Sequence, residues 1–235
     1  SSRYIAVKPD LGGILHAAVL RDTDRAPEAV TELRRLRDAY PKSIEVRVNL
    51  AGALISAKDP AGAEQELKTT LTELDKDSLP ARMMLVEAYR AQGKLAEIEG
   101  EFRTLAEQRP DDAAIQLSLA RTLLASNKLD EAEKIAQPIL EKTPESPWAN
   151  YVIGACLLAK GKREDAITCL EAAAGALPND PQIAKLLSEA QSGTATQIAS
   201  TATPSPAHGA ASGPATWQTL WRDASLKELV SRRQE

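Results

Sequence analysis

The sequence predicts an all-α fold, a right-handed α-solenoid of about five helix-turn-helix repeats, because one period runs along the chain. Prolines recur every 34 residues, at Pro110, Pro144 and Pro178. Turn-forming residues recur at the same interval, each 17 residues before its proline, at Gly93, Asn127 and Gly161. A fixed period between 20 and 50 residues is typical of stacked repeats, none of which buries its apolar face alone.

Each repeat contains two helices separated by a tight turn. In the repeat 113–146, Leu119, Leu123 and their apolar neighbours recur at intervals of three and four, which places them on one helix face. The turn at Asn127 interrupts this pattern, a second apolar face begins at Leu129, and Pro144 disfavours further helix. The order helix, turn, helix, proline predicts a series of antiparallel helical hairpins.

These positions resemble the tetratricopeptide repeat, whose pattern is W-x2-L-G-x2-Y, then A-x3-F, then P. The last repeat matches best, with Gly154, Leu157, Gly161, Ala166, Leu170, Ala173 and Pro178. The fourth position, aromatic in the family, is instead Gly13, Arg47, Arg82, Gln116 and Asn150. The resemblance predicts a lead-in at 1–9 and an array at 10–191, with repeats 10–43, 44–78, 79–112, 113–146 and 147–180 and a capping helix at 181–191. It implies a non-enzymatic scaffold for protein–protein interaction.

Composition and motifs argue against other classes of function. The net charge of −4 disfavours nucleic acid and anionic membranes as partners, and no apolar run is long enough to predict a transmembrane span. The two histidines are His16, expected at a core-facing position, and His208. Neither has a partner at metal-ligand spacing, and no glycine-rich phosphate loop is present. We therefore expect no catalytic residue, no metal and no cofactor.

The two cysteines are expected to be reduced and half-buried. Cys156 and Cys169 lie on the two helices of one hairpin, offset by a helical rise of roughly 7–8 Å. That offset exceeds the comfortable reach of a disulfide. Reduced thiols do not indicate whether the protein is located in the cytoplasm or in the cell envelope.

In proteins that resemble this one, the first helices line a concave surface, and positions 2, 5, 9 and 12 of each repeat face it. The family's Lys/Asn/Arg clamp for a terminal carboxylate is missing here, and most of these side chains are apolar. The predicted partner-binding residues are Ile14, Val48, Ile55, Met83, Glu87, Arg90, Leu117, Arg121, Leu124, Trp148, Tyr151 and Leu158. Two interpretations are open: several of them pack between repeats, or they form a groove for an amphipathic helix or peptide.

The C-terminal region has a different composition. Residues 192–215 carry no charged side chain and are mostly Ala, Thr, Ser, Pro and Gly, which predicts a disordered linker with a reach of about 25–30 Å. The amphipathic tail 216–235 then places Trp217, Leu220 and Trp221 on one helical face. We expect this tail to dock in the groove of its own or of a neighbouring copy.

The tail also supports a wider hypothesis. The segment Trp217-x2-Leu220-x2-Asp223-x2-Leu226-x2-Leu229-Val230 is similar to the opening motif of outer-membrane efflux factors. That resemblance favours the periplasm or cell envelope over the cytoplasm and implies association with a membrane-bound assembly. Two functions remain: an adaptor that binds an amphipathic segment within a bacterial envelope or export/assembly machine, and a self-assembly module whose tail joins copies.

Overall fold

A computed structural model of the chain describes residues 11–193. Within this range the chain forms eleven α-helices and no strand. The predictions that lie outside the described residues are the lead-in 1–9, the linker 192–215 apart from Ser192 and Gly193, and the tail 216–235 with Trp217, Leu220 and Trp221. The chain divides after Ile98 into two compact units, unit 1 and unit 2.

Unit 1 contains five complete helices: α1 (Leu11–Asp22), α2 (Ala26–Ala39), α3 (Ile44–Ser56), α4 (Pro60–Glu73) and α5 (Leu79–Ala91). Each helix packs against the next in sequence, and α3 also contacts α1 and α5. The odd-numbered helices, here called the first helices, therefore lie side by side. The boundary between the units falls within α6 (Leu95–Gln108).

Unit 2 repeats this arrangement with α7 (Ala113–Ala125), α8 (Leu129–Lys142), α9 (Pro147–Ala159), α10 (Arg163–Ala176) and α11 (Pro181–Ser192). Successive helices pack against one another, and α9 also contacts α7 and α11. The last helix buries Ile183, Leu186 and Ala190. The predicted all-α fold of helical hairpins is confirmed, and α11 lies where the capping helix was predicted.

The hairpin turns share one backbone conformation. A residue in the left-handed region, with φ between 58° and 75°, occurs in each turn, at Asp24, Lys58, Gly93, Asn127 and Gly161. The next N–H donates to the carbonyl five residues earlier at 2.8–3.0 Å, as in a Schellman motif. Glycine and asparagine adopt this conformation at little cost, which is why three of the turns could be predicted. Asp24 and Lys58 adopt it without that signal.

The residues at the fourth repeat position anchor the loops between hairpins. Each of the polar side chains there donates a hydrogen bond to the carbonyl oxygen six residues earlier: Arg47 to Pro41 at 3.0 Å, Arg82 to Lys76 at 2.7 Å, Gln116 to Pro110 at 3.3 Å and Asn150 to Pro144 at 2.7 Å. A polar side chain thus occupies the position at which the family pattern has an aromatic residue. This accounts for the most regular departure from that pattern.

Close helix contact in the last hairpin depends on Gly154. A Cβ atom built on Gly154 of α9 would lie 2.8 Å from Cγ of Leu170 and 3.2 Å from Cβ of Cys169, both on α10. Leu170 is fully buried and has no room to move away. Only glycine fits at this crossing.

No helix among residues 11–193 is both long and apolar enough to span a bilayer.

The end of α11 is held by Arg163, whose guanidinium donates to the backbone oxygens of Ala190 and Gln191. A cation at this position satisfies carbonyl groups that the helix itself leaves without partners.

Candidate functional site

The twelve predicted partner-binding residues all lie on first helices, but they differ in exposure. Five are buried and contribute to the cores of the units: Ile14, Val48, Leu117, Leu124 and Tyr151. Seven are partly exposed: Ile55, Met83, Glu87, Arg90, Arg121, Trp148 and Leu158. The accessible part of the predicted surface is therefore smaller and more polar than its sequence suggests. That a partner binds there stays a prediction.

In unit 2, the structure brings three of the predicted residues into one cluster. The guanidinium carbon of Arg121, on α7, lies 3.8 Å from the centre of the Trp148 ring, on α9. The rings of Trp148 and Tyr151 meet edge to face, with centroids 5.9 Å apart and planes at 84°. Nη2 of Arg121 also donates to Oε1 of Gln182, on α11, at 3.3 Å. We call these four residues the Arg121 cluster.

Local structure fixes the position of each member. Pro147 occupies the first turn of α9, so Trp148 and Tyr151 stand one turn apart on the same face. The buried side chain of Asn150 donates to Pro144 at 2.7 Å and to Ser146 at 3.0 Å, which secures the loop that leads into α9. Gln182 follows the N-cap Asp180, whose carboxylate accepts from the backbone N–H of Gln182 at 2.9 Å. The cluster is therefore held by rigid helix starts.

Sequence reasoning missed Gln182, although a signal for it exists. Gln182 lies 34 residues after Trp148 and so occupies the same repeat position. It belongs to the predicted capping helix, whereas the predicted partner-binding residues all belong to complete hairpins. The capping helix continues the periodic surface by one more helix. It contributes the hydrogen-bond acceptor that fixes the orientation of the Arg121 guanidinium.

The electrostatics of the cluster favour recognition of a polar group. Burial raises the pKa of Tyr151, and the positive charge of Arg121 opposes that shift without cancelling it. The Tyr151 hydroxyl therefore stays neutral near pH 7. The Arg121 guanidinium lies over the face of an indole, a position in which its positive charge is attracted to the ring. The cluster therefore combines an apolar surface, the Trp148 indole, with a positive charge on Arg121.

In unit 1, the accessible predicted residues contain one charged pair. Nη1 of Arg90 donates to Oε1 of Glu87, one turn earlier on α5, and both side chains are about three-quarters buried. Within the described part of the chain, the buried Nε of Arg90 has no hydrogen-bond partner. Met83 continues the same face toward the start of α5. The Arg90–Glu87 pair is therefore a polar group with one hydrogen-bond donor unsatisfied, beside the flexible apolar side chain of Met83.

A second polar cluster in unit 1 holds α4 to the turn after α5. The Glu64 carboxylate accepts from Lys68 and Lys94 at 2.7 Å each and from Gln92 at 2.9 Å. These bonds, led by the one from Lys68, lower the pKa of Glu64 to about 2. The cluster lines a shallow, open depression of about 460 Å³. Because the Glu64 carboxylate already accepts hydrogen bonds from three donors, it holds α4 to the turn after α5 and does not act as a general base.

The remaining reactive side chains are placed as follows. Both cysteines are free; Cys156 is fully buried rather than half-buried, whereas Cys169 is partly exposed. Burial raises the pKa of Cys156 to about 12, so its thiol stays protonated. His16 is exposed on α1, and its expected core-facing position is wrong because none of the helices in 11–193 packs on that side of α1. Residues 11–193 contain no group of three or more His, Cys, Asp or Glu side chains placed to hold a metal.

Comparison with solved structures identifies the fold. A tetratricopeptide repeat protein of Thermus thermophilus, TTC0263, is 19% identical, with 77% of this chain and 97% of that chain covered and a TM-score of 0.53. YrrB, described as a tetratricopeptide repeat protein with an unusual peptide-binding site, is 16% identical, with coverage of 79% and 94% and a TM-score of 0.58. MamA is 18% identical, with coverage of 71% and 94% and a TM-score of 0.57. No curated protein sequence matches the chain.

The family assignment rests on the sequence itself. The family model described as "Tetratricopeptide repeat" matches residues 20–84, 89–147 and 123–190, which together span well over half of the chain. The chain therefore belongs to the tetratricopeptide repeat family, whose members are generally non-enzymatic scaffolds that bind proteins or peptides.

Proposed function

We propose that the chain is a non-enzymatic adaptor that holds an amphipathic segment of a partner protein on the first-helix surface of unit 2, with the Arg121 cluster as its anchor. The observation that carries this proposal is the stacking of Arg121 on Trp148 at 3.8 Å. Trp, Tyr and Arg are the residues most enriched among those that dominate binding energy at protein interfaces. All three occur in this cluster, in which Arg121 and Trp148 are partly exposed and the buried Tyr151 supports Trp148 from below.

The chemistry of the cluster defines the partner segment. The exposed side of the Trp148 indole fits an apolar side chain, and the positive charge of the Arg121 guanidinium fits a carboxylate. An amphipathic helix presents apolar and acidic side chains one turn apart and meets both requirements. The peptide-binding site named for the structural relative YrrB supports a peptide as ligand of this chain as well.

The cellular setting of the proposal comes from the tail. The likeness of residues 217–230 to the opening motif of outer-membrane efflux factors supports a place in a bacterial envelope or export assembly. In that setting the chain associates with a membrane-bound complex through protein contacts, in the periplasm or cell envelope.

A fluorescence experiment tests the anchor directly. Trp148 is one of three tryptophans in the chain, so Trp217→Phe with Trp221→Phe leaves it as the single reporter. Amphipathic peptides of about 16 residues, selected from a display library against the intact chain, are then titrated into this variant. We expect binding to shift the Trp148 emission, and Arg121→Ala in the same background to weaken binding about tenfold or more.

A matched control is available on the capping helix. Lys185→Ala changes an exposed cation that is not part of the cluster, and we expect it to leave peptide affinity unchanged. If the selected peptides bind without changing Trp148 emission, or bind Arg121→Ala as tightly as the parent, the anchor is not at this cluster.

A second candidate function is self-assembly, in which the tail of one copy joins another copy. The observation that favours it is an exposed apolar face on α1, formed by Leu11, Leu15 and Val19. The two candidate functions use different surfaces and can be tested separately.

A further inference from the structure

The side of α11 that meets the Arg121 cluster carries a carboxylate further along the helix. Gln182, Lys185 and Glu189 follow one another at intervals of three and four residues, which places them on one side of α11. Gln182 accepts the hydrogen bond from Arg121, so this side is continuous with the cluster. Burial is the main cause that raises the pKa of Tyr151, and the charge of Glu189 raises it further. The Glu189 carboxylate therefore also lies close to the cluster.

The Glu189 carboxylate is retracted into the surface without a hydrogen bond. Its side chain is 13% exposed, and its buried Oε2 has no hydrogen-bond partner among residues 11–193. Oε1 lies 3.9 Å from Nζ of Lys185, which is longer than a hydrogen bond, and exposed pairs of this kind contribute little to stability. A buried carboxylate oxygen without a donor is unfavourable. The side chain therefore has no hydrogen bond to lose when it extends toward a donor at the surface.

Opposite charges stand at the two ends of this side of α11. The positive charge of Arg121 lies beside Gln182, at the start of the helix, and Glu189 follows seven residues later. Seven residues of helix correspond to a rise of about 10 Å, or two turns. A partner helix that lies along α11 has the same rise, so two of its residues seven apart can meet both charges. Charges at a fixed spacing determine the register and orientation of a partner.

We propose that Glu189 determines the specificity of this surface by pairing with a lysine or arginine of the partner helix, seven residues from the acidic residue that pairs with Arg121. An apolar residue one turn from the acidic one meets the Trp148 indole. An ammonium or guanidinium group supplies both the opposite charge and the hydrogen-bond donor that Glu189 lacks, which no apolar or acidic side chain does. This inference rests on the proposed function and adds the charge pattern of the partner.

The test uses the full chain with Trp217→Phe and Trp221→Phe, and as its probe the tightest-binding peptide from the display selection. We expect this peptide to carry an acidic and a basic residue seven positions apart. Glu189→Gln keeps the shape of the side chain and removes its charge, and it should weaken binding about tenfold. Alanine in place of the basic residue of the peptide should weaken binding by a similar factor. Both changes together should cost little more than either alone, because they remove the same contact.

Two further variants complete the test. Glu171→Gln removes an exposed carboxylate from α10 and is the matched control, which should bind the peptide like the parent. Glu189→Lys should weaken binding of the original peptide, and a peptide with glutamate in place of its basic residue should recover most of the loss. Without peptide, Glu189→Gln should unfold at the same urea concentration as the parent or at a higher one, since Oε2 has no hydrogen bond to lose.

The outcomes separate this inference from the proposed function. Peptides that bind Arg121→Ala weakly but bind Glu189→Gln as tightly as the parent would overturn the role of Glu189 and leave the anchor at Arg121 in place. Peptides that bind independently of Arg121, or a selection that yields none, would overturn both. A marked loss of stability in Glu189→Gln without peptide would mean that the carboxylate is already paired within the chain, and would also overturn its role.

Discussion

Gly154→Ala should destabilise the last hairpin although alanine is the better helix former. The added Cβ atom would lie 2.8 Å from Cγ and 3.1 Å from Cδ2 of Leu170, and Leu170 is fully buried. Overpacking of this kind costs typically 1–3 kcal/mol. The replacement of glycine inside a helix returns about 1 kcal/mol. We therefore expect a net loss of about 1 kcal/mol in the free energy of unfolding.

A second glycine separates the two contributions. Gly100 lies in the interior of α6, is exposed, and has no atom within 4 Å of a Cβ built on it. Gly100→Ala should therefore stabilise by up to about 1 kcal/mol through helix propensity alone. Urea unfolding followed by circular dichroism measures both variants, and Gly154→Ala should cost less stability in a Leu170→Ala background than in the parent, because the clash is then absent. Equal stabilisation by both glycine replacements would show that the close contact between α9 and α10 does not exist.

Three other perturbations follow from single contacts. Asn150→Ala removes hydrogen bonds of 2.7 Å and 3.0 Å from a buried site and should cost about 2 kcal/mol in urea unfolding, more than Gln116→Ala with its 3.3 Å bonds. Lys58→Gly relieves a left-handed residue with φ of 65° and should stabilise by about 1 kcal/mol, whereas loss of stability would mean that this turn is not strained. The pKa of Glu64 falls from 4.5 to about 2 on folding, so its contribution is complete above pH 4.5 and lost as the pH falls toward 2. Urea midpoints measured across that window should fall less for Glu64→Gln than for the parent, and equal slopes would contradict the role of the cluster.

The fold could be predicted because repetition makes each signal appear several times. The period of Pro110, Pro144 and Pro178 and the turn residues Gly93, Asn127 and Gly161 mark the hairpins without reference to tertiary structure. The turns at Asp24 and Lys58 carry weaker signals, since lysine rarely adopts a positive φ and aspartate does so only occasionally. Their conformation allows a helix-ending hydrogen bond of 2.8 Å in both turns, which the other turns form at 2.8–3.0 Å.

The candidate site could be predicted only in part, because repeat position determines direction but not exposure. Arg121, Trp148 and Tyr151 were placed on one surface, and the structure brings them into contact. Leu117 and Tyr151 occupy the same repeat position, for which the pattern predicts a side chain that faces a partner. Both are instead covered by adjacent helices. The exposed apolar face of α1, formed by Leu11, Leu15 and Val19, was missed for the opposite reason: a periodic pattern predicts burial for every apolar face, whereas no helix within 11–193 covers this side of α1.

These exposures change where the tail is expected to dock. The predicted groove offers Leu117 and Tyr151 at 7% and 2% exposure, so a tryptophan side chain would have to displace core packing to reach them. A charged substitution at either position would unfold the hairpin and could not report on docking. Leu15 and Val19 are 66% and 60% exposed and can be contacted without any rearrangement. Apolar tail residues gain most where apolar surface is already in water, which favours the exposed face of α1 over the buried residues of the predicted groove.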